Sequence, residues 1–199
     1  MNLLTPRLEI YPDRIEQNAR AIADLCHGHQ IQLAAVTKVI RAHPEVVKAL
    51  VRAGVDLLAD SRLENLKAIQ EMRTGLPLML LRIPAPSQAD EVVELADISL
   101  NSSLFTLQKL SDAAGRGGRV HQVILMVDLG DLREGVWPDH AAGVLQEAFS
   151  LPNLEVMGLG SNLACYGGVI PTREKMQALI DLRDHCQSIF GRELPVLSG

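Results

Sequence analysis

Aromatic side chains are scarce in this sequence: they make up 3% of its 199 residues, whereas hydrophobic residues as a whole make up 47%. The core must therefore be built from Leu, Val, Ile and Ala, which suits a parallel sheet covered by helices better than a β-sandwich. No apolar run approaches the roughly 18 residues of a membrane-spanning helix, and the N-terminus lacks a signal-peptide pattern. We therefore expect no membrane insertion.

Cysteine pairs of the kind that bind metals or form disulfides are also missing. Cys26, Cys165 and Cys186 lie far apart and form no CxxC motif. This spacing predicts a reducing, cytoplasmic setting with no disulfide framework and no metal site. Lys and Arg are outnumbered by Asp and Glu, 19 to 24, and they do not cluster with aromatic residues. Nucleic-acid binding is therefore not expected.

What the sequence does contain is a regular alternation of short apolar runs and helical patterns. Ser61 and Glu64 have the spacing of a capping box at the start of one helix. Alternating strands and helices predict a parallel sheet with right-handed crossovers. The predicted strands lie at residues 8–11, 33–39, 56–60, 77–83, 98–101, 121–128, 154–163 and 194–198.

Two α/β architectures fit this alternation. A doubly wound open sheet is one, but no GxGxxG motif opens a helix, so a dinucleotide-binding fold is disfavoured. The other is a (β/α)8 barrel of the TIM type, which fits better if its last βα unit is missing. We therefore predict one barrel domain, incomplete, over residues 1–199.

Lys38 closes the apolar run of residues 33–39, which places it at the carboxyl end of a predicted strand. In an α/β barrel the active site is built at that end. A partly desolvated amine there has a lowered pKa and can form a Schiff base with an aldehyde such as pyridoxal phosphate. The alternative is a solvated lysine that only marks the strand end, and position alone favours this alternative.

Polar residues also close the other predicted strands. Each taken singly is more often a cap or a loop residue, but together with Lys38 they predict a polar cleft at one end of the barrel. In the loop of residues 164–171, Gly167 and Gly168 could bring backbone amides to a phosphate, or could form only a turn. The polar strand ends are Asp60, Arg82, Asn101, Asp128, Asn162 and Ser198.

Several segments resemble the alanine racemase family, the fold-type III pyridoxal-phosphate enzymes, and the resemblance extends over essentially the whole chain. They are AVTK at residues 35–38, the D-x-G-x-x-R-x-G pattern at 128–135 and GLGSN at 158–162. Within the family, DSRLEN at residues 60–65, LRIP at 81–84 and NLACYGG at 162–168 are similar to the ornithine racemase-type branch.

The resemblance implies a racemase that acts on a small amino acid with pyridoxal 5'-phosphate as cofactor. It implies that Lys38 holds the cofactor as an internal aldimine and removes the α-proton on one face. Arg133 would contact the cofactor's phenolic oxygen or an adjacent side chain, and Asn162 would pack against the ring. Ser198 and Gly199 would begin the phosphate-binding segment. Cys165 is a candidate for the second base, although a small buried loop residue is the simpler interpretation.

Three positions depart from the alanine racemase pattern. Met126 replaces a carbamate-forming lysine, and Asn162 replaces a histidine that stacks on the ring. Ala42 replaces a phosphate-binding tyrosine, which leaves His43 or loop amides as substitutes. These differences argue against alanine itself as the substrate.

The family's eighth strand and its C-terminal β-domain would follow Gly199. We therefore expect residues 1–199 alone to be unstable, aggregated or paired with a second chain, because an open barrel exposes strand edges and apolar surface. Three hypotheses follow: a racemase, homodimeric when complete or completed by another chain; a non-catalytic protein that binds pyridoxal phosphate; or an inactive fragment of a truncated or split racemase.

Overall fold

The computed structural model describes residues 8–164 and 168–199. Strands and helices alternate through both ranges. The strands are β1 Ala34–Val36, β2 Leu57–Asp60, β3 Leu78–Leu80, β4 Ile98–Asn101, β5 His121–Met126, β6 Leu154–Gly160 and β7 Val196–Ser198. The helices are α1 Pro12–Gly28, α2 Pro44–Ala53, α3 Leu63–Glu71, α4 Ala89–Leu95, α5 Leu104–Arg116, α6 Pro138–Ala148 and α7 Arg173–Phe190, with short 3-10 helices at Lys38–Ile40 and Pro86–Gln88.

The seven strands form one sheet in chain order, from β1 to β7, and every pair is parallel. Parallel pairing of consecutive strands, with an α-helix between each strand and the next, is the arrangement of a TIM-type barrel. Within the described ranges, β1 and β7 each pair with one neighbour, so the sheet is open between them. The predicted barrel without its last βα unit is confirmed.

Side chains of the strands alternate between two apolar layers, as a period of two requires. One layer fills the inside of the curved sheet; its buried members, all of them strand residues, are Leu57, Ala59, Met79, Leu100, Ile124 and Met126. The other layer joins the sheet to the helices, and here Leu58 of β2 packs in the same cluster as Leu66 of α3. This alternation decides which strand ends face the inside of the barrel.

Strands β6 and β7 approach each other closely at Gly158. A Cβ atom placed on Gly158 would lie 1.8 Å from the carbonyl oxygen of Val196. No other residue fits there without moving a backbone, so the glycine sets the spacing of β7 against β6. Nearby, the β5–β6 register shifts between Val123 and Ile124.

Two local predictions were wrong. Residues 8–11 do not form a strand; the carbonyl of Tyr11 instead accepts from the amides of Arg14 and Ile15 and so begins α1. The capping box is also absent, because α3 begins at Leu63 without a side-chain cap from Ser61. In its place the Asp60 carboxylate accepts from the Arg62 amide, at 3.0 Å.

Most predicted strands are also shorter than expected at their carboxyl ends, because the chain turns into loops that hold the polar residues. The helices of the described ranges include none that is long and apolar enough to cross a lipid bilayer.

Candidate active site

A cavity of about 720 Å³ lies at the carboxyl ends of the strands. We call it the site cavity. Segments that follow six of the seven strands contribute to it, which is the position of the active site in barrel enzymes. Its lining residues are Lys38, Ser61, Leu81, Arg82, Ile83, Leu100, Ser102, Arg133, Glu134, Gly135 and Asn162.

Lys38 reaches the site cavity because the residue before it is tied to β2. Thr37 is fully buried, its amide donates to the Ala59 carbonyl at 2.9 Å, and its hydroxyl donates to the Asp60 carboxylate at 2.6 Å. Lys38 then begins the 3-10 helix Lys38–Ile40, and it lines the site cavity. The side chain of Lys38 is nevertheless exposed, because β1 is an edge strand. The partial desolvation expected from the sequence is therefore not found.

Asp60 does not face the site cavity but is completely buried beneath it. Besides the Thr37 hydroxyl and the Arg62 amide, its carboxylate accepts from the side-chain amide of Asn65, at 3.0 Å. Three donors from two segments thus meet on one carboxylate. Asp60 joins the Lys38 turn to the start of α3.

Asn101 also faces the helix layer. Its side-chain amide donates to the hydroxyl and the carbonyl of Ser99, at 2.9 and 3.1 Å, and the Ser99 hydroxyl contacts Nε2 of His121 at 2.8 Å. All three residues are buried. Burial lowers the pKa of His121 to about 4, so the ring is neutral at ordinary pH. Asn101 belongs to this packing network and not to the cavity lining.

Asp128 holds the loop that carries Arg133. Its carboxylate accepts from the amides of Gly130 and Leu132, at 2.7 and 3.2 Å. Beyond Arg133 the chain folds back, so that Gly135, at φ 117°, would bring a Cβ within 2.5 Å of the Asp128 nitrogen. The Val136 amide then donates to the Met126 carbonyl, at 2.8 Å, and the Val136 carbonyl accepts from the Asp128 amide, at 2.9 Å. The folded-back loop presents Arg133 and Glu134 to the cavity.

Glu134 connects two residues that the sequence singled out. Its Oε1 contacts Nη2 of Arg133 and Nδ2 of Asn162. Arg133 also lies 3.9 Å from the buried carboxylate of Asp131. No sequence pattern pointed to Glu134, because its contact with Asn162 spans 28 residues.

Ser61 and Ser102 were missed for a different reason, and here the sequence held a usable signal. Each lies two residues beyond an inward-facing apolar residue, Ala59 and Leu100 respectively. Counting in steps of two from the apolar pattern would have selected both serines and excluded Asp60 and Asn101.

The remaining predicted residues lie around the cavity or outside the described ranges. Ser198 ends β7, where its carbonyl accepts from the Ser161 amide at 2.9 Å, and neither it nor Gly199 lines the site cavity. His43 is exposed at the start of α2. Cys165 and Gly167 lie outside the described residues, so the second base and the phosphate loop stay predictions.

The charge of the site cavity is mainly positive, with Lys38, Arg82 and Arg133 against the single carboxylate of Glu134. Met126, at the position of the carbamate-forming lysine, is 1% exposed among apolar side chains and adds no charge. Within the described ranges, no group of three or more His, Cys, Asp or Glu side chains could hold a metal ion. The positive charge of the cavity suits an anionic ligand.

Comparison with known proteins agrees with this geometry. The family model of the alanine racemase N-terminal domain matches residues 10–198. The chain belongs to this family.

Two curated relatives are similar to this chain over nearly its whole length. Ornithine racemase of Acetoanaerobium sticklandii is 42% identical over 195 residues, which cover 98% of this chain and 55% of that protein. Lysine racemase of Thermotoga maritima is 34% identical over 197 residues, covering 99% of this chain and 55% of that protein. The chain thus spans a little over half the length of these relatives.

Solved structures show the same fold at lower identity. Alanine racemase from Corynebacterium glutamicum has a TM-score of 0.77 and 19% identity, covering 94% of this chain and 52% of that one. PipY of Synechococcus elongatus, with PLP bound, has a TM-score of 0.74 and 22% identity, covering 91% of this chain and 87% of that one. The same barrel fold therefore makes up about half of the first of these chains and most of the second.

Proposed function

We propose that this chain is the cofactor-binding barrel of an amino-acid racemase that depends on pyridoxal 5'-phosphate and acts on an amino acid with a basic side chain. The observation that carries the proposal is the meeting of Lys38 with Arg82, Arg133 and Asn162 in one cavity at the carboxyl ends of the strands. The similarity to ornithine and lysine racemases supports the reaction and the kind of substrate.

The residues of the site cavity fit pyridoxal phosphate. The cofactor is an aldehyde with an anionic phosphate, and the cavity offers a primary amine, two guanidinium groups and the hydroxyls of Ser61 and Ser102 within about 720 Å³. When bound, the cofactor's pyridine ring takes up the electron pair left on the substrate's α-carbon. The protein must then bind, orient and move protons.

Lys38 has two tasks in this proposal. Its Nζ would hold the cofactor, and the same amine, when free, would accept the substrate's α-proton on one face. The hydrogen bond from the Thr37 hydroxyl to buried Asp60 fixes the backbone from which Lys38 extends. Asn162 would lie against the cofactor ring, and Cys165 remains the candidate for the opposite face.

Arg82 is the cation we assign to the substrate's α-carboxylate. The two arginines of the cavity differ in their surroundings: Arg133 is held by Glu134, whereas Arg82 has no acidic partner among the described residues. A guanidinium binds a carboxylate through two parallel hydrogen bonds, which would orient the substrate as well as hold it.

Other parts of the proposal depend on the whole protein. We propose a homodimer and a cytoplasmic location, the latter supported by Cys26 and Cys186, both free thiols among the described residues.

A non-catalytic pyridoxal-phosphate protein is the second candidate. The observation that favours it is the match to PipY, solved with PLP bound, at a TM-score of 0.74. Such a protein would bind the cofactor at Lys38 but would not interconvert amino-acid enantiomers.

One experiment tests both candidates. The full-length protein is mixed with pyridoxal phosphate, its visible absorbance is recorded, and the bound cofactor is fixed with borohydride and located by mass spectrometry. L-Ornithine, L-lysine and L-alanine are then assayed for their D-enantiomers by chiral chromatography. A modified Lys38 with D-ornithine or D-lysine formation supports the racemase. A modified Lys38 without turnover supports the non-catalytic protein, and an unmodified Lys38 overturns both.

A further inference from the structure

Glu134 is the only acidic side chain among the described residues that line the site cavity. It lies in the loop between β5 and α6, next to Arg133 in sequence and opposite Asn162 at the end of β6. Its side chain is 15% exposed, so it is held within the protein. A partly buried carboxylate in this place needs partners, because burying an unpaired charge is costly.

The partners of Glu134 are two residues that face the cofactor in the proposed function. One carboxylate oxygen contacts both the Arg133 guanidinium and the Asn162 amide. A charged acceptor that two donors share fixes their directions more firmly than neutral hydrogen bonds do. It also offsets the charge of Arg133 inside a cavity that already contains Lys38 and Arg82.

The loop geometry leaves this carboxylate little freedom. Gly135 directly follows it with φ 117° and packs against the backbone of Asp128, and Val136 is bonded to Met126. The chain on the carboxyl side of Glu134 is therefore fixed to β5. Because Asn162 extends from β6, which pairs with β5, the distance from Glu134 to Asn162 is set by the sheet itself.

We propose that Glu134 is a positioning residue of the cofactor site. It holds Arg133 and Asn162 in place, and it offsets the effect that the positive charge of Arg133 has on the bound cofactor. This inference rests on the proposed function. It differs from a purely structural role, in which Glu134 would stabilise the loop without affecting the electrostatics of the cofactor.

Glu134→Gln separates the two roles. Glutamine has the same shape and its oxygen can still accept from Arg133 and Asn162, so the loop should keep its stability while the negative charge is lost. The charge of Arg133 is then offset less, with Asp131 still 3.9 Å away, and it disfavours the protonated, more positive form of the bound chromophore. In the full-length protein loaded with pyridoxal phosphate, the pH midpoint of the visible absorbance band should fall by about one pH unit, as expected for a charge a few ångströms away.

A double substitution shows whether Glu134 acts through its neighbour. In an Arg133→Gln background, Glu134→Gln should move the midpoint by less than half as much, because the cation that it masks is gone. Glu134→Asp, as a separate variant, keeps the negative charge, so the pH midpoint of its visible band should stay close to that of the unchanged protein. Glu64→Gln is the matched control, since Glu64 lines a neighbouring cavity and not this one, and it should leave the midpoint unchanged.

The outcomes separate the inference from the function on which it rests. A visible band whose midpoint is the same in the unchanged protein and in Glu134→Gln overturns the inference and leaves the proposed function standing. A full-sized shift in the Arg133→Gln background also overturns it, because Glu134 would then act directly. The absence of any visible band in the unchanged protein overturns both.

Discussion

The strand ends of this barrel carry two sets of polar residues that differ only in the side they face. The outward set, beneath the helices, includes Thr37, Asp60, Ser99 and Asn101, all completely buried. Hydrogen bonds join them in two pairs, Thr37 with Asp60 and Asn101 with Ser99, and only Oδ1 of Asn101 has no partner among these four residues. The inward set, around the site cavity, includes Lys38, Ser61 and Ser102, each one residue beyond a member of the outward set. Arg82 also lines the cavity, although the alternation along β3 would place it on the side of Leu80, beneath the helices.

The difference between the two sets follows from solvent. A polar group that is sealed under helices must have its hydrogen bonds made within the protein, since each one left unmade costs about 1–3 kcal/mol. A polar group in an open cavity has water as a partner and can exchange it for a ligand. We therefore expect substitutions in the outward set to lower stability, and substitutions in the inward set to lower binding and activity.

The largest effect should come from the inward Lys38. Lys38→Ala should abolish the visible absorbance of added pyridoxal phosphate and all turnover, because no other amine lines the cavity among the described residues. Since Lys38 is exposed, the free energy of unfolding should change by less than about 0.5 kcal/mol. Lys67→Ala, on the exposed side of α3, is the control. A visible band that survives in Lys38→Ala would refute the assignment.

The outward Asp60 should show the opposite pattern. Asp60→Ala leaves three donors without their acceptor, so we expect a loss of about 3 kcal/mol in the free energy of unfolding, measured by urea denaturation. Asp112→Ala, exposed on α5, should change it by less than about 0.5 kcal/mol. If the two variants are equally stable, the outward network does not support the fold as described.

His121 makes the outward set sensitive to pH. Its pKa is about 4 in the folded protein against 6.5 ordinarily, so the unfolded chain binds more protons between these values. Stability from this group is complete above about pH 6.5 and is lost as the pH falls towards 4, by about 3 kcal/mol in all. His121→Gln, which can still bond Ser99, should flatten the pH dependence in urea titrations. An unchanged slope would contradict the buried neutral ring.

Arg82 gives the smallest and most specific expected effect. Arg82→Gln should raise the KM for the amino acid about tenfold or more and change kcat little, because the carboxylate contact is present in both the ground state and the transition state. Arg62→Gln, which lines only the neighbouring cavity, should leave both constants unchanged. A fall in kcat at constant KM would place Arg82 in the chemical step and not in substrate binding.

Much of the fold could be predicted from the sequence, and the exceptions are instructive. The apolar periodicity located every strand that the structure contains in its described ranges, and Pro12 and Pro44 marked the starts of α1 and α2. Residues 8–11 were assigned to a strand wrongly, because a short apolar run can equally precede a helix. Four strands were predicted to extend further towards the C-terminus than they do, because the residues of one strand do not show where the neighbouring strand stops pairing with it.

Only some of the polar residues predicted to line the site do so, because the direction of a side chain also depends on neighbouring strands. Lys38, Arg82, Arg133 and Asn162 meet in the cavity, whereas Asp60 and Asn101 face away from it. The polar character of a strand end is local and visible in the sequence. Its direction depends on counting from residues whose burial is already known, and one extra residue reverses the count, as Met157 does in β6, where the pairing with β5 passes from Val156 directly to Gly158.

The sequence by itself determined the alternation of strands and helices, the apolar make-up of the two layers and the lysine at the end of the first strand, because each depends on near neighbours in the chain. Only the tertiary structure decided which polar strand ends face the cavity, and that Glu134 lies between Arg133 and Asn162. That last contact joins residues 28 apart. It depends on the pairing of β5 with β6 and on a loop that folds back over its own strand, and no short stretch of sequence contains either.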